Sequence, residues 1–225
     1  MRTLCFAAAA AVMLSTGVAI AEEPATHTGR SGQGWSTLSG QTVGNNLTAL
    51  TAQVGFPGLT VAFLRGLGPN VDFGGRFSFN YGYENLVTSI HPGVKGELIA
   101  RIGLLDTGKV NLGVRLGAGA MGYFGTGNEA YAGISLPVAL QLGIPIGSAL
   151  MVSAGMDAPM YVIFGTAGGL TFPLLFGVGI EYFIDKRFAA TFNTRMGPSI
   201  NNTGFRYRTN AELAFEAQIG IEYQL

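Results

Sequence analysis

The chain has little to do chemistry with. Its 225 residues include one cysteine, two histidines and 12% charged side chains. Cys5 lies in the N-terminal apolar stretch, so the chain beyond residue 21 has no thiol. That excludes a disulfide framework, a thiol nucleophile and an N-terminal lipid acceptor. The charged share is about half that of an ordinary soluble domain. The 13 basic and 13 acidic residues cancel, and removal of Arg2 with a leader leaves −1. No nucleic-acid partner is expected from such a balance. His27 falls in a tract without hydrophobic period, and His91 sits beside Pro92, two residues after Ser89. A nucleophile and its base are poorly provided for, so no enzyme is expected; a lipid-modifying membrane enzyme stands last among the alternatives. No Cys, His or Asp cluster has metal-ligand spacing, and the glycines fall within strands rather than in a phosphate cradle, so neither metal nor cofactor is expected. A clean helical membrane span is missing too. The uncharged run 134–156 is long enough, but Pro137, Gly143, Pro145 and Gly147 interrupt it.

The N-terminus resembles an export signal in its physics. Arg2 supplies a positive start, Leu4 to Leu14 an apolar stretch, and Ala19-Ile20-Ala21 a small-x-small cleavage site. Residues 1–21 are therefore read as a signal peptide. Residues 22–43 are rich in Gly, Ser and Thr with Trp35 as their lone aromatic, and are read as a flexible periplasmic segment. Residues 44–225 form one domain.

That domain alternates. Leu213, Phe215, Ala217, Ile219, Ile221, Tyr223 and Leu225 share one face, and Glu212, Glu216, Gln218, Glu222 and Gln224 share the other. A period of two is a strand with one apolar and one polar face. Val71 to Tyr83, Val94 to Leu104, and the spans 109–124, 170–184 and 187–197 repeat it, while 131–144 and 148–158 alternate less clearly. Short turns at Gly68-Pro69-Asn70, Asp106-Thr107-Gly108, Pro145-Ile146-Gly147 and Asp185-Lys186 alternate with longer links near 84–92, 125–130, 159–169 and 198–209. Eight strands follow from Val71 onward. The segments 46–56 and 59–67, joined by Phe56-Pro57-Gly58, make ten, and ten is favoured because Leu50, Ala52, Val54 and Phe56 also alternate.

The two faces distinguish a membrane from water. A soluble sandwich would show Lys and Glu on its polar face; here that face is mostly Gly, Ala, Ser and Asn, which suits the interior of a narrow barrel. The apolar face ends in Tyr81, Tyr83, Phe124 and Phe172 at one rim and Tyr182, Phe188 and Tyr223 at the other. An apolar band between aromatic girdles predicts an all-β, antiparallel transmembrane barrel in contact with outer-membrane lipid, with short periplasmic turns and longer extracellular loops.

Parity places Asp72, Glu97, Asp157, Glu181, Glu212, Glu216 and Glu222 inside, against Arg76, Lys95, Arg101, Arg115, Arg187 and Arg195. Seven acids facing six bases predict a lumen of mutually neutralising pairs rather than the single-signed constriction of a selective pore. Met121, Tyr123, Pro137, Met151, Pro173 and Leu175 also point inward, and the link after residue 158 begins Pro159-Met160-Tyr161-Val162-Ile163-Phe164, which is either a strand extended above the membrane or the lining of a route for a small hydrophobic molecule. Three prolines at the extracellular ends of consecutive strands would lack ladder donors, marking either strand ends or a lateral opening.

The signal peptide, the alternating strands, the rhythm of turns and loops, and the final Ile219, Ile221 and Tyr223 resemble the small outer-membrane barrels of the OmpA, OmpX and OmpW type. This chain departs from them by closing on Leu225. The resemblance implies location in the bacterial outer membrane and a role for the barrel-assembly machinery as a partner in biogenesis. With OmpW it also implies a small hydrophobic ligand. The functional expectation is a barrel that is structural or a conduit for small hydrophobic solutes; adhesion or partner binding through extracellular loops is the alternative.

Overall fold

A computed structural model describes residues 34–81, 92–124, 130–164, 168–203 and 210–225. The described elements are β1 (Thr48–Phe56), β2 (Gly58–Gly68), β3 (Val71–Asn80), β4 (Gly93–Asp106), β5 (Asn111–Phe124), β6 (Ala130–Ile146), β7 (Leu150–Phe164), β8 (Gly169–Pro173), β9 (Leu175–Phe183), β10 (Phe188–Thr203) and β11 (Asn210–Gln224). Each pairs antiparallel with its neighbours. The ladder from Ala49↔Gln224 to Phe56↔Ala217 joins the first strand to the last. Strands β8 and β9 both pair with β7 and β10, so they are two halves of one wall strand. The wall is thus a closed ten-stranded antiparallel barrel, the larger of the two counts, and it has no free sheet edge.

The break between β8 and β9 has a local cause. Tyr161↔Thr171 and Asp157↔Leu175 bracket Pro159 opposite Pro173, and neither proline has an N–H for the ladder. Leu174 instead donates its N–H to the Pro198 carbonyl at 2.9 Å.

Period-two patterning sets the faces as expected. Leu98 (61% exposed) and Ile219 (62%) stand among the outward side chains, while Asp72, Arg101, Glu181 and Glu222 have essentially no exposure. The apolar outer band can only be tolerated against hydrocarbon, because a monomer in water rarely exposes so continuous an apolar surface. Tyr81 and Phe124 lie at one rim; Tyr182 and the cross-strand pair Phe188↔Tyr223 lie at the other.

The turns of the second rim are tight. Asp106 Oδ1 accepts the N–H of Gly108, which takes φ +76°, and Asp185 Oδ1 accepts the N–H groups of Arg187 and Phe188. Gly147 takes φ +64° in the β6–β7 turn. Left-handed backbone of this kind favours glycine. Short turns belong to the periplasmic end in barrels of this architecture; it is called the turn end below, and the opposite rim the loop end.

Two expected links are partly strand. Residues 159–164 continue β7 and residues 198–203 continue β10. The apolar run Met160 to Phe164 is a strand extension, with Tyr161 and Ile163 buried inside and Phe164 exposed. Its alternation simply carries on past Pro159.

Candidate functional site: a plugged lumen and a loop-side chamber

Residues 34–43 fill the turn end of the lumen. They were expected to belong to a flexible segment, and their burial corrects that reading; residues 22–33, including His27, lie outside the described residues, as does His91. Trp35, Ser36, Ser39 and Val43 are almost wholly inaccessible. The segment is small and polar enough to enter a narrow barrel, and it brings donors for carboxylates on the wall.

Glu181 is the main anchor. It accepts hydrogen bonds from Ser36 Oγ at 2.5 Å, the Thr37 backbone N–H at 2.7 Å and the Leu38 N–H at 3.1 Å. Thr37 Oγ1 donates to Glu222 Oε1. Across the lumen, Asp72 accepts the Val43 N–H and the Arg101 guanidinium, the latter pair at 2.5 Å and fully buried. Arg101 Nη2 reaches on to the Ser36 carbonyl at 2.7 Å. One base therefore ties both a wall carboxylate and the plug backbone. Trp35 donates Nε1–H to the Lys186 carbonyl at 2.9 Å and meets Phe183 edge-on at 5.3 Å. Gln224 Nε2 donates to the Val43 carbonyl at 2.8 Å.

Gly40 shows how close the plug lies. A Cβ there would collide with backbone of Leu112, Gly113 and Gln141, and one at Gly113 would stand 2.7 Å from the Gly40 carbonyl oxygen. Two glycines face to face let the two backbones touch. Gly40→Val is accordingly expected to unseat the plug while leaving the wall ladders intact, read as increased proteolysis near residue 40 in the folded barrel. An unchanged digestion pattern would mean that the plug has slack at this point.

The remaining charges gather nearer the loop end. Arg76 pairs with Glu97 at 2.6 Å, and Ser135 Oγ also donates to Glu97. Asp157 holds both Arg115 at 3.0 Å and Arg195 at 2.5 Å, and Arg195 lies 3.6 Å from Glu216. Arg76↔Glu97 and Arg195↔Glu216 are direct cross-strand neighbours, whereas Arg115 and Asp157 sit either side of the small Ala139 on β6. Lys95 is buried; its Nζ lies 3.3 Å from Tyr161 Oη and 4.8 Å from that ring's centroid. Among the described residues it has no carboxylate in ion-pairing range.

These groups border a cavity of about 40 Å³, walled by Arg76, Lys95, Arg115, Arg195, Asp157 and Tyr161 and also by Pro137, Pro159 and Leu175. It is room for a few water molecules, at about 10–15 Å³ each.

Of the residues expected to form the lumen network, Arg187 does not. It is exposed in the 184–187 turn, because the strand pairing of β10 begins only at Phe188. Glu212 keeps to the inward face of β11 but is half-buried. Of the apolar set, Met121 and Tyr123 cluster with Tyr161 and Ile163, and Pro137, Pro159, Pro173 and Leu175 also face inward. Met151 instead joins Trp35, Val43 and Phe183 under the plug. The expected gathering of apolar residues is thus divided between the two ends of the lumen. Asn80, Ser135, Gln141 and Tyr161 also face inward and carried no separate signal.

The fold and the lumen define a closed integral barrel of the outer-membrane kind. No protein-family model and no curated protein matches the chain. Among solved structures it is similar to the outer membrane protease OmpT from Escherichia coli, at 8% identity and a TM-score of 0.42, over 80% of this chain and 94% of that one. No residue or activity is carried over at that level. The match does correct one expectation. A barrel among the structures similar to this chain is a protease, so the expectation of no enzyme does not stand.

Proposed function

We propose that the protein is an integral barrel of the bacterial outer membrane whose lumen is sealed from the periplasmic side by its own N-terminal segment. Export would follow cleavage near Ala21, and the barrel-assembly machinery would insert the chain, with lipid covering the apolar band. The observation that carries the reading is the plug, held by Glu181, Glu222, Asp72 and Arg101. A sealed lumen of paired charges serves a structural or surface role rather than open diffusion. In planar bilayers the wild-type protein should show no steady current. Large, steady, ion-selective currents would overturn the sealed reading.

A second reading keeps the lateral route for small hydrophobic solutes. It is favoured by Pro137↔Pro159 as direct partners with Pro173 next in the same row, at the place where the wall strand breaks. Pro137→Val with Pro173→Val restores two backbone donors. If the wall parts there, uptake of a small apolar probe into reconstituted vesicles should slow. Unchanged uptake by a folded double variant would leave the prolines as features of strand geometry.

A further inference from the structure

We propose that the loop-side chamber binds a small organic oxyanion, a carboxylate of acetate size whose charged end meets Lys95 and whose methyl end lies against the patch of Pro137, Pro159 and Leu175. The charge distribution points there first. Four cations, Arg76, Lys95, Arg115 and Arg195, share the chamber region with three carboxylates, Glu97, Asp157 and Glu216. Among the described residues each of these arginines has a carboxylate in direct contact; Lys95 touches only the Tyr161 hydroxyl and ring, and its nearby acid, Glu97, is already paired with Arg76.

A buried ammonium whose nearby carboxylate is shared with an arginine is only partly neutralised, and a phenol and a ring face offset only part of the remaining cost. An anion beside Lys95 would complete the balance. Donors to hold it are in place. Arg115 Nε is buried with no hydrogen-bond partner, and Ser78 Oγ and Asn80 line the same cavity. Pro137, Pro159 and Leu175 add an apolar patch to the lining, since the prolines carry no N–H and the Leu175 side chain presents only carbon. The site therefore combines charged groups with a small apolar patch. A cavity of about 40 Å³ limits the guest to a few heavy atoms. This proposal does not depend on whether the lumen conducts, so the two fail separately.

Titration calorimetry with acetate on the full-length folded barrel in zwitterionic detergent at low salt tests it. Saturable binding is expected, weakened roughly tenfold or more by Lys95→Met, as loss of one charge-assisted contact predicts, and largely kept by Lys95→Arg. Glu97 keeps its direct pair with Arg76 when Lys95 is removed, so no buried carboxylate is left unpaired, and retention of the heat-sensitive gel shift confirms folding. Lys95→Gln, which keeps a donor toward Tyr161, is the second variant should methionine disturb the barrel. Absence of saturable binding, or equal affinity in the folded lysine variants, would overturn the site. Inorganic phosphate binding more tightly than acetate would overturn the part assigned to the apolar patch.

Discussion

Arg101→Leu is expected to be the most damaging single substitution in the lumen, costing about 3–5 kcal/mol because it leaves a buried carboxylate uncompensated. Asp72 and Arg101 are both fully buried and 2.5 Å apart, and water has no room to replace the guanidinium. The same change removes the hydrogen bond from Arg101 to the Ser36 carbonyl, so loss of stability should come with loosening of the plug. Urea titration of the barrel in lipid vesicles measures the first effect, and Trp35 fluorescence the second. Asp72→Leu with Arg101→Leu should recover part of the loss, since no charge is then stranded. Recovery stays partial because Asp72 also accepts the Val43 N–H. A single variant as stable as the wild type would show that the site is wet and the pair dispensable.

The second large effect is expected on deleting residues 34–43. The deletion removes every described donor to Glu181 and the Thr37 hydroxyl bond to Glu222, along with the buried ring of Trp35. Both carboxylates must then be hydrated, and water entering to hydrate them opens the turn end. A barrel silent in planar bilayers should become one that passes steady current, while the wall keeps its gel mobility. Silence after the deletion would mean that the paired charges and the inward residues near the loop end close the lumen unaided.

The wall was legible because lipid and lumen impose opposite demands on successive residues. The parity of Leu213 to Leu225 translates directly into outward Ile219 and Ile221 and inward Gln218 and Glu222. Even the weak alternation of Leu50, Ala52, Val54 and Phe56 marks a real strand, the one that closes the barrel against β11. Arg187 was misplaced because parity cannot tell the last residue of a turn from the first of a strand. The apolar run 160–164 left two readings open, an extended strand or a lining for a hydrophobic molecule, and it is strand, because Pro159 removes one ladder donor without ending the alternation.

The plug was not legible. A tract of Gly, Ser and Thr has no period whether it is solvated or threaded through a lumen. One signal was nevertheless present in the acids. Glu181 lies between Met151 and Thr191, and Glu222 between Thr51 and Ala189. Neither has a basic cross-strand neighbour, unlike Glu97 beside Arg76 or Glu216 beside Arg195. Buried carboxylates without a basic cross-strand neighbour call for donors from elsewhere, and those donors came from the segment before the first strand.

The most direct test of the plugged lumen uses the absence of cysteine beyond Cys5. Ser39→Cys places a single thiol in the plug at a position with no exposure, and Lys109→Cys places one in an exposed turn at the same end. With a water-soluble maleimide on the folded barrel, the account predicts rapid labelling at position 109 and protection at position 39 that disappears on unfolding. Equal labelling rates at the two positions in the folded protein would contradict it.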